Sequence, residues 1–156
     1  MDAAEIERLR RASGVGLRAD GVFVYGGQPV ANARVQRLFH AGVEVDAAGE
    51  VMLRVGRTWC YLEPEGVAYF AERAELRGGQ VWLALIGREA AVGPARVVGY
   101  ASDDRFYAWV DGLRGPVALL RDAHQAVSGI LASGGELGAG EVVALAAIPG
   151  ANAVRP

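Results

Sequence analysis

A chain of 156 residues that is 52% hydrophobic and 22% charged can bury one compact core or two small subdomains sharing it, which excludes global disorder. Its 16 basic residues are all arginine and are balanced by 18 acids to a formal net charge of -2, and this disfavours a general nucleic-acid coat. The lone Cys60 cannot close an internal disulfide, the acidic start Met1-Asp2-Ala3-Ala4-Glu5 is unlike a secretory signal, and no apolar run approaches the roughly 20 residues of a membrane span, so a soluble cytoplasmic protein is expected.

Asp2 and Glu5 form a capping-box pair at the head of a helix over residues 2–13, whose narrow apolar stripe of Ile6 and Leu9 predicts loose docking. Ser13-Gly14-Val15-Gly16 ends that helix. Asp20-Gly21 then opens a turn, Val22 to Tyr25 reads as a strand, and Gly26-Gly27 redirects the chain before Pro29. Asn32 caps a short helix near 33–41 with Val35, Leu38 and Phe39 on one face and Gly42 placed to stop it. Val43-Glu44-Val45 and Val51 to Val55 alternate with period two. Keeping both apolar sets on one face selects a three-residue loop, Ala47-Ala48-Gly49, that pairs Val45 with Val51 and puts Gly49 in the left-handed conformation.

Arg57 to Glu63 is apolar or aromatic on both faces and reads as a central strand ending at Pro64. Residues 67–76 are compatible with helix or strand, and strand is preferred. Arg77-Gly78-Gly79-Gln80 forms a hairpin turn into 81–86, strands follow near 96–100 and 105–111 around the turn Ser102-Asp103-Asp104, and Pro116 opens a long helix near 117–132 that Gly134-Gly135 ends. Glu141 to Ile148 reads as a late strand.

The order Asp20-Gly21-Val22-Phe23, then Gly27-Gln28-Pro29-Val30, then Arg37-Leu38-Phe39 resembles the opening of the DUF1285 family of bacterial proteins, mainly over residues 19–76. The resemblance implies a duplicated α+β layout, a second half similar to a pleckstrin-homology sheet plus helix, and a signalling role with a nucleotide-like ligand. Two segments depart from the family pattern. Where the family carries Thr-Asn-x-Gly-Asp this chain has Ala84-Leu85-Ile86-Gly87-Arg88, and where it carries Arg-x-Gly-Leu this chain has Val110-Asp111-Gly112-Leu113, so no family site residue transfers.

Arg57-Thr58-Trp59-Cys60-Tyr61-Leu62-Glu63 and Arg105-Phe106-Tyr107-Ala108-Trp109-Val110-Asp111 share an arginine, two alternate aromatics, an aliphatic and an acid. This internal likeness suggests two related halves. Arginine beside aromatic rings can hold a planar anion by stacking and charge-assisted hydrogen bonds, which makes Arg57, Trp59, Arg105, Tyr107 and Trp109 the candidate ligand-binding residues. The same rings also suit core filling. Cys60 lies in an apolar strand that favours an inert thiol, His40 suits the carbonyl end of its helix, and His124 sits on the packed side of its own. Asp103-Asp104 and Glu63-Pro64-Glu65 read as solvated turns, and no ligand spacing for a metal is present, so neither metal nor cofactor is expected.

These readings combine into an α+β protein with an N-terminal helix (1–18), a first α+β half (19–77) and a second sheet-plus-helix half (78–156), built from antiparallel sheets; a single open barrel closed by the long helix is the alternative. The leading function is a non-enzymatic small-molecule-binding or regulatory module for a nucleotide-like anion, followed by a protein-interaction or homodimeric assembly domain, with a small Cys/His hydrolase third.

Overall fold

The computed structural model describes residues 1–133 and 142–156. Helix α1 (Ala3–Arg11) is capped reciprocally, Glu5 N donating to Asp2 Oδ1 at 2.8 Å and Asp2 N to Glu5 Oε2 at 2.9 Å. None of its residues is buried, as its narrow stripe predicts. Two cation–π stacks hold it instead, Arg10 over Trp59 at 3.8 Å and Arg11 over Tyr61 at 4.2 Å.

Strands β1 (Val15–Leu17), β2 (Phe23–Tyr25) and β3 (Gln28–Pro29) form a meander whose β2–β3 turn uses Gly26 and Gly27 at positive φ. Helix α2 (Ala33–Gly42) starts at Asn32, whose side chain accepts from Arg34 N and Val35 N. Gln36 on α2 accepts from Phe23 N and donates to Phe23 O and Val30 O, tying the helix to β2. The expected apolar face is narrower than its spacing implies: Phe39 and Val35 pack inward or half inward, but Leu38 is exposed. Gly42 lies within α2 and is required by a close approach, because a Cβ there would strike the carbonyl of Arg54.

The hairpin of β4 (Val43–Val45) and β5 (Val51–Val55) has the register set by its hydrophobic alternation, Val43 opposite Leu53 and Val45 opposite Val51, with Gly49 at φ 85°. Among the described residues strand β6 (Thr58–Tyr61) then pairs with β5 alone. This corrects the expectation of a central strand. The apolar character of its two faces has separate causes: Cys60 packs against the core, while Trp59 and Tyr61 lie under the arginines of α1. Neither cause needs a second neighbouring strand. Beyond β6, β7 (Glu63–Pro64) runs parallel to β1 and completes the first sheet, in the order β3-β2-β1-β7.

A third sheet contains β8 (Tyr69–Arg77), β9 (Gln80–Leu85), β10 (Ala95–Tyr100), β11 (Phe106–Val110), β12 (Val117–Leu119) and β13 (Val143–Ala144), in the order β13-β10-β11-β12-β8-β9. The strand reading of 67–76 holds, and the turn at Gly78-Gly79 joins β8 to β9 with Arg77 opposite Gln80. Purely antiparallel sheets were expected. The β12–β8, β10–β13 and β1–β7 pairs are parallel, so these sheets are mixed.

Helix α3 occupies Arg121–Ala132, and the first turn expected of it is instead strand β12. Pro116 tolerates either continuation. Three consecutive apolar residues, Val117-Ala118-Leu119, are all buried between β11 and β8, and satisfying their backbone groups in the sheet overrides helix periodicity. On α3 the packed face is Ala123 and Val127, with Leu120 partly covered and Leu131 exposed. The helix stop at Gly134-Gly135 lies outside the described residues. Of the late strand over 141–148, residue 141 also lies outside them, and only Val143–Ala144 is strand among the rest.

One hydrophobic cluster runs from Leu17 and Phe23 through Val43, Leu53, Phe70 and Leu83 to Trp109, Leu119 and Val127. The two segments that resemble each other in sequence take different places around it. β6 is a partly exposed edge, whereas β11 is buried throughout and has neighbours on both sides.

Candidate functional site

The five residues singled out by the Arg-plus-aromatic pattern are distributed over three surface clefts. Arg57 and Trp59 border a cleft with Ile6, Leu9 and Arg10 of α1. Arg105 and Tyr107 border a second with Glu65 and Asp103. Trp109 lies in a third. Several of their polar groups have partners inside the protein. Trp109 Nε1 donates to Ala153 O at 2.9 Å, Tyr107 Oη donates to Asp103 Oδ2, and Arg105 Nη1 donates to Ala19 O at 2.5 Å.

The histidines are structural in geometry. His40 is 7% exposed, which corrects its placement as a cation at a helix end. Its Nε2–H donates to Gly21 O at 2.7 Å, and its ring meets Phe23 and Phe70 edge-on at 4.7 and 5.7 Å. Burial, chiefly, holds its pKa below the usual imidazole range; Arg37 on α2 and Arg88 after β9 push the same way, while the Gly21 carbonyl and Glu72 on β8 oppose them. The unfolded chain therefore takes up the proton first as pH falls. The stability contributed by neutral His40 is complete above its unfolded pKa of about 6.5 and is lost as pH falls through that value toward the lower folded one. Urea midpoints should drop between pH 8 and pH 5, and His40→Leu should flatten that drop; an unchanged slope in the variant would refute the assignment. His124 packs on Phe106 at 4.7 Å between ring centroids. Among the described residues no group of three or more His, Cys, Asp or Glu is placed to hold a metal, and no helix is long and apolar enough to cross a membrane.

The cleft beside Trp109 has a volume of about 420 Å³ and three walls: the β4–β5 turn at Asp46–Gly49, the loop Asp111–Gly115 that leaves β11, and the C-terminal segment Asn152–Arg155. Its walls are largely built by close approach. A Cβ on Gly49 would press on the Asn152 side chain, and one on Gly115 would strike the Ala151 carbonyl. Trp109 and Val110 supply a buried apolar floor. Three guanidiniums line the rim. Arg96 Nε pairs with Asp111 Oδ2 at 2.9 Å, Arg155 reaches the same carboxylate only at 4.0 Å, and Arg114 has no ion-pair partner among the described residues. Asp46, the other acid of the cleft among the described residues, is engaged by its own turn, Oδ1 accepting from Ala48 N and Glu50 N, each at 2.9 Å. An apolar floor under an arginine excess can take a flat molecule with an anionic group. Sequence reasoning reached Trp109 but missed Arg96, Arg114 and Arg155. They sit far apart in the chain, and only the loop Asp111-Gly112-Leu113-Arg114-Gly115 carried a local signal.

Two solved structures share this arrangement of sheets and helices. A DUF1285 family protein from Shewanella baltica OS155 aligns with a TM-score of 0.54 at 15% identity, covering 74% of this chain and 91% of that one. A DUF1285 family protein from Silicibacter pomeroyi DSS-3 aligns with a TM-score of 0.55 at 18% identity, covering 75% of this chain and 68% of that one. The fold is DUF1285-like. No protein-family model and no curated protein matches the chain. At these identities the likeness carries the DUF1285-like fold and not the role of any residue. One of the two departures from the family pattern, Val110-Asp111-Gly112-Leu113, falls on the wall of the Trp109 cleft, where the arginines present come from other positions.

Proposed function

We propose that this DUF1285-like protein is a non-enzymatic small-molecule-binding module whose ligand is a ring-bearing anion of nucleotide type seated in the Trp109 cleft. The observation that carries the reading is Arg114, a guanidinium without an ion-pair partner among the described residues on the rim of an apolar-floored cleft. Arg96 and Arg155 share the single carboxylate of Asp111, which leaves the rim with positive charge to offer. Cys60, His40 and His124 serve packing and are placed on separate elements, so no nucleophile and base are assigned.

A thermal-shift panel of nucleotides and related aromatic anions tests it. Ligand at a hundredfold excess over Kd adds about 2.7 kcal/mol to stability, and each kcal/mol moves the midpoint by roughly 2–4 °C for a domain of this size. Arg114→Ala should weaken a hit at least about tenfold, the scale of one lost charge-assisted contact, without moving the midpoint of the free protein. A panel without hits, or hits indifferent to Arg114→Ala, refutes this site. The second reading, homodimeric assembly, has its own observation: among the described residues β6 leaves one edge unpaired, beside the exposed Ile6 and Leu9 of α1. Light scattering that reports a monomer would remove it.

A further inference from the structure

The cleft holding Arg105 and Tyr107 differs chemically from the Trp109 cleft and has a volume of about 540 Å³. Its polar rim is wired into a chain of hydrogen bonds. Glu65 Oε2 accepts from Ala19 N at 3.1 Å, the carbonyl of the same Ala19 accepts from Arg105 Nη1, Arg105 N donates to Asp103 Oδ1 at 3.3 Å, and Asp103 Oδ2 accepts from Tyr107 Oη. Burial and the Asp103 carboxylate hold the Tyr107 hydroxyl far above its usual pKa, so it remains a donor and fixes Asp103 in place. Val67, Ile148 and Pro149 give the same cleft an apolar wall.

The charge balance here argues against the nucleotide-type anion that the Arg105 and Tyr107 pattern suggested. Among the described residues two carboxylates face one guanidinium, so a polyanion would be repelled on balance. Each carboxylate keeps lone pairs beyond its internal bonds, and Arg105 spends one of its five N–H donors on Ala19. We propose that this cleft binds a small zwitterion of the α-amino acid class, its ammonium received by Glu65 and Asp103, its carboxylate by Arg105, and its side chain by the Val67, Ile148 and Pro149 wall. This site is independent of the Trp109 cleft and stands or falls without it.

Isothermal titration of the full chain with glycine, alanine, leucine and phenylalanine, each beside its matched simple amine and simple carboxylate, tests the assignment. The expected result is binding by amino acids with an apolar side chain and at least tenfold weaker binding by either half-molecule. Glu65→Gln and Asp103→Asn should each reduce that binding at least tenfold. Glu65→Gln is the variant that keeps the turn at 102–104 untouched, and Arg114→Ala in the other cleft should leave the affinity as it was. No heat with any amino acid overturns the proposal, as does full affinity in Glu65→Gln and Asp103→Asn. Equal binding of the amine alone overturns the role given to Arg105.

Discussion

Phe70→Ala should lower unfolding free energy by about 3–5 kcal/mol, the range for deleting a buried phenylalanine ring. Phe70 is 1% exposed and central to the joint between the sheets. Its ring meets His40 from α2, and it lies within 3.1–3.3 Å of where a Cβ on Gly21 would stand, so the first sheet's turn is packed directly on it. The strand that carries it runs parallel to β12, and its carbonyl accepts from Ile86 N at 3.1 Å. Helix α2 and the turn at Gly21 would therefore border the cavity, and backbone pairing on both sides of β8 limits how far they can collapse into it. Out of a typical total of about 5–15 kcal/mol, such a loss leaves a marginal fold. Urea unfolding should show a lower midpoint with the slope retained. A loss below about 1 kcal/mol would mean that the joint is not close-packed.

Gly87→Ala is the second large effect expected, for a reason the hydrophobic pattern does not contain. Gly87 has φ 76°, and a Cβ there would strike the carbonyl of Arg37 and press on Ala41, both on α2. Left-handed strain costs on the order of 1–3 kcal/mol and forced overpacking adds typically 1–3, so a loss of about 2–6 kcal/mol is expected. The consequence reaches beyond the loop, because the next residue, Arg88, donates from Nη2 to Val43 O at 2.7 Å and lies toward the face of Tyr69. Pushing Gly87 outward withdraws that guanidinium from the start of β4. Gly87→Asn separates the two contributions: asparagine tolerates the left-handed region but still carries a Cβ, so it should shed most of the strain and keep the overpacking loss of about 1–3 kcal/mol. A thermal midpoint within a degree of the parent protein in both variants would refute the close-approach argument.

The two effects mark where local and long-range information divide. Features governed by neighbours in sequence were legible from the residues: the Asp2–Glu5 capping box, the Asn32 cap, the Gly78-Gly79 turn and the β4–β5 register. Each is decided by side-chain reach over three or four positions or by the two-residue alternation of a strand. The α+β class and the DUF1285-like arrangement followed from the order of such elements.

Tertiary structure decided the rest. β12 is a strand because β8 and β11 leave a slot whose backbone groups must be paired, information that residues 117–119 do not hold. β6 lies at the end of its sheet while the arginines of α1 cover its outer face, and a composition apolar on both faces reports that the faces are covered, not whether a further strand pairs alongside. The repeated Arg-plus-aromatic pattern was visible, yet its members point into three separate clefts, since pattern records residue type and not which neighbour the fold brings alongside. Arg96 and Arg114 come together through the β10–β11 pairing, and Arg155 joins them around Trp109 only because the C-terminal segment returns across the end of β11, held by Trp109 Nε1 on the Ala153 carbonyl. That return brings residues more than forty positions apart into one cleft, and periodicity over a few residues carries no trace of it.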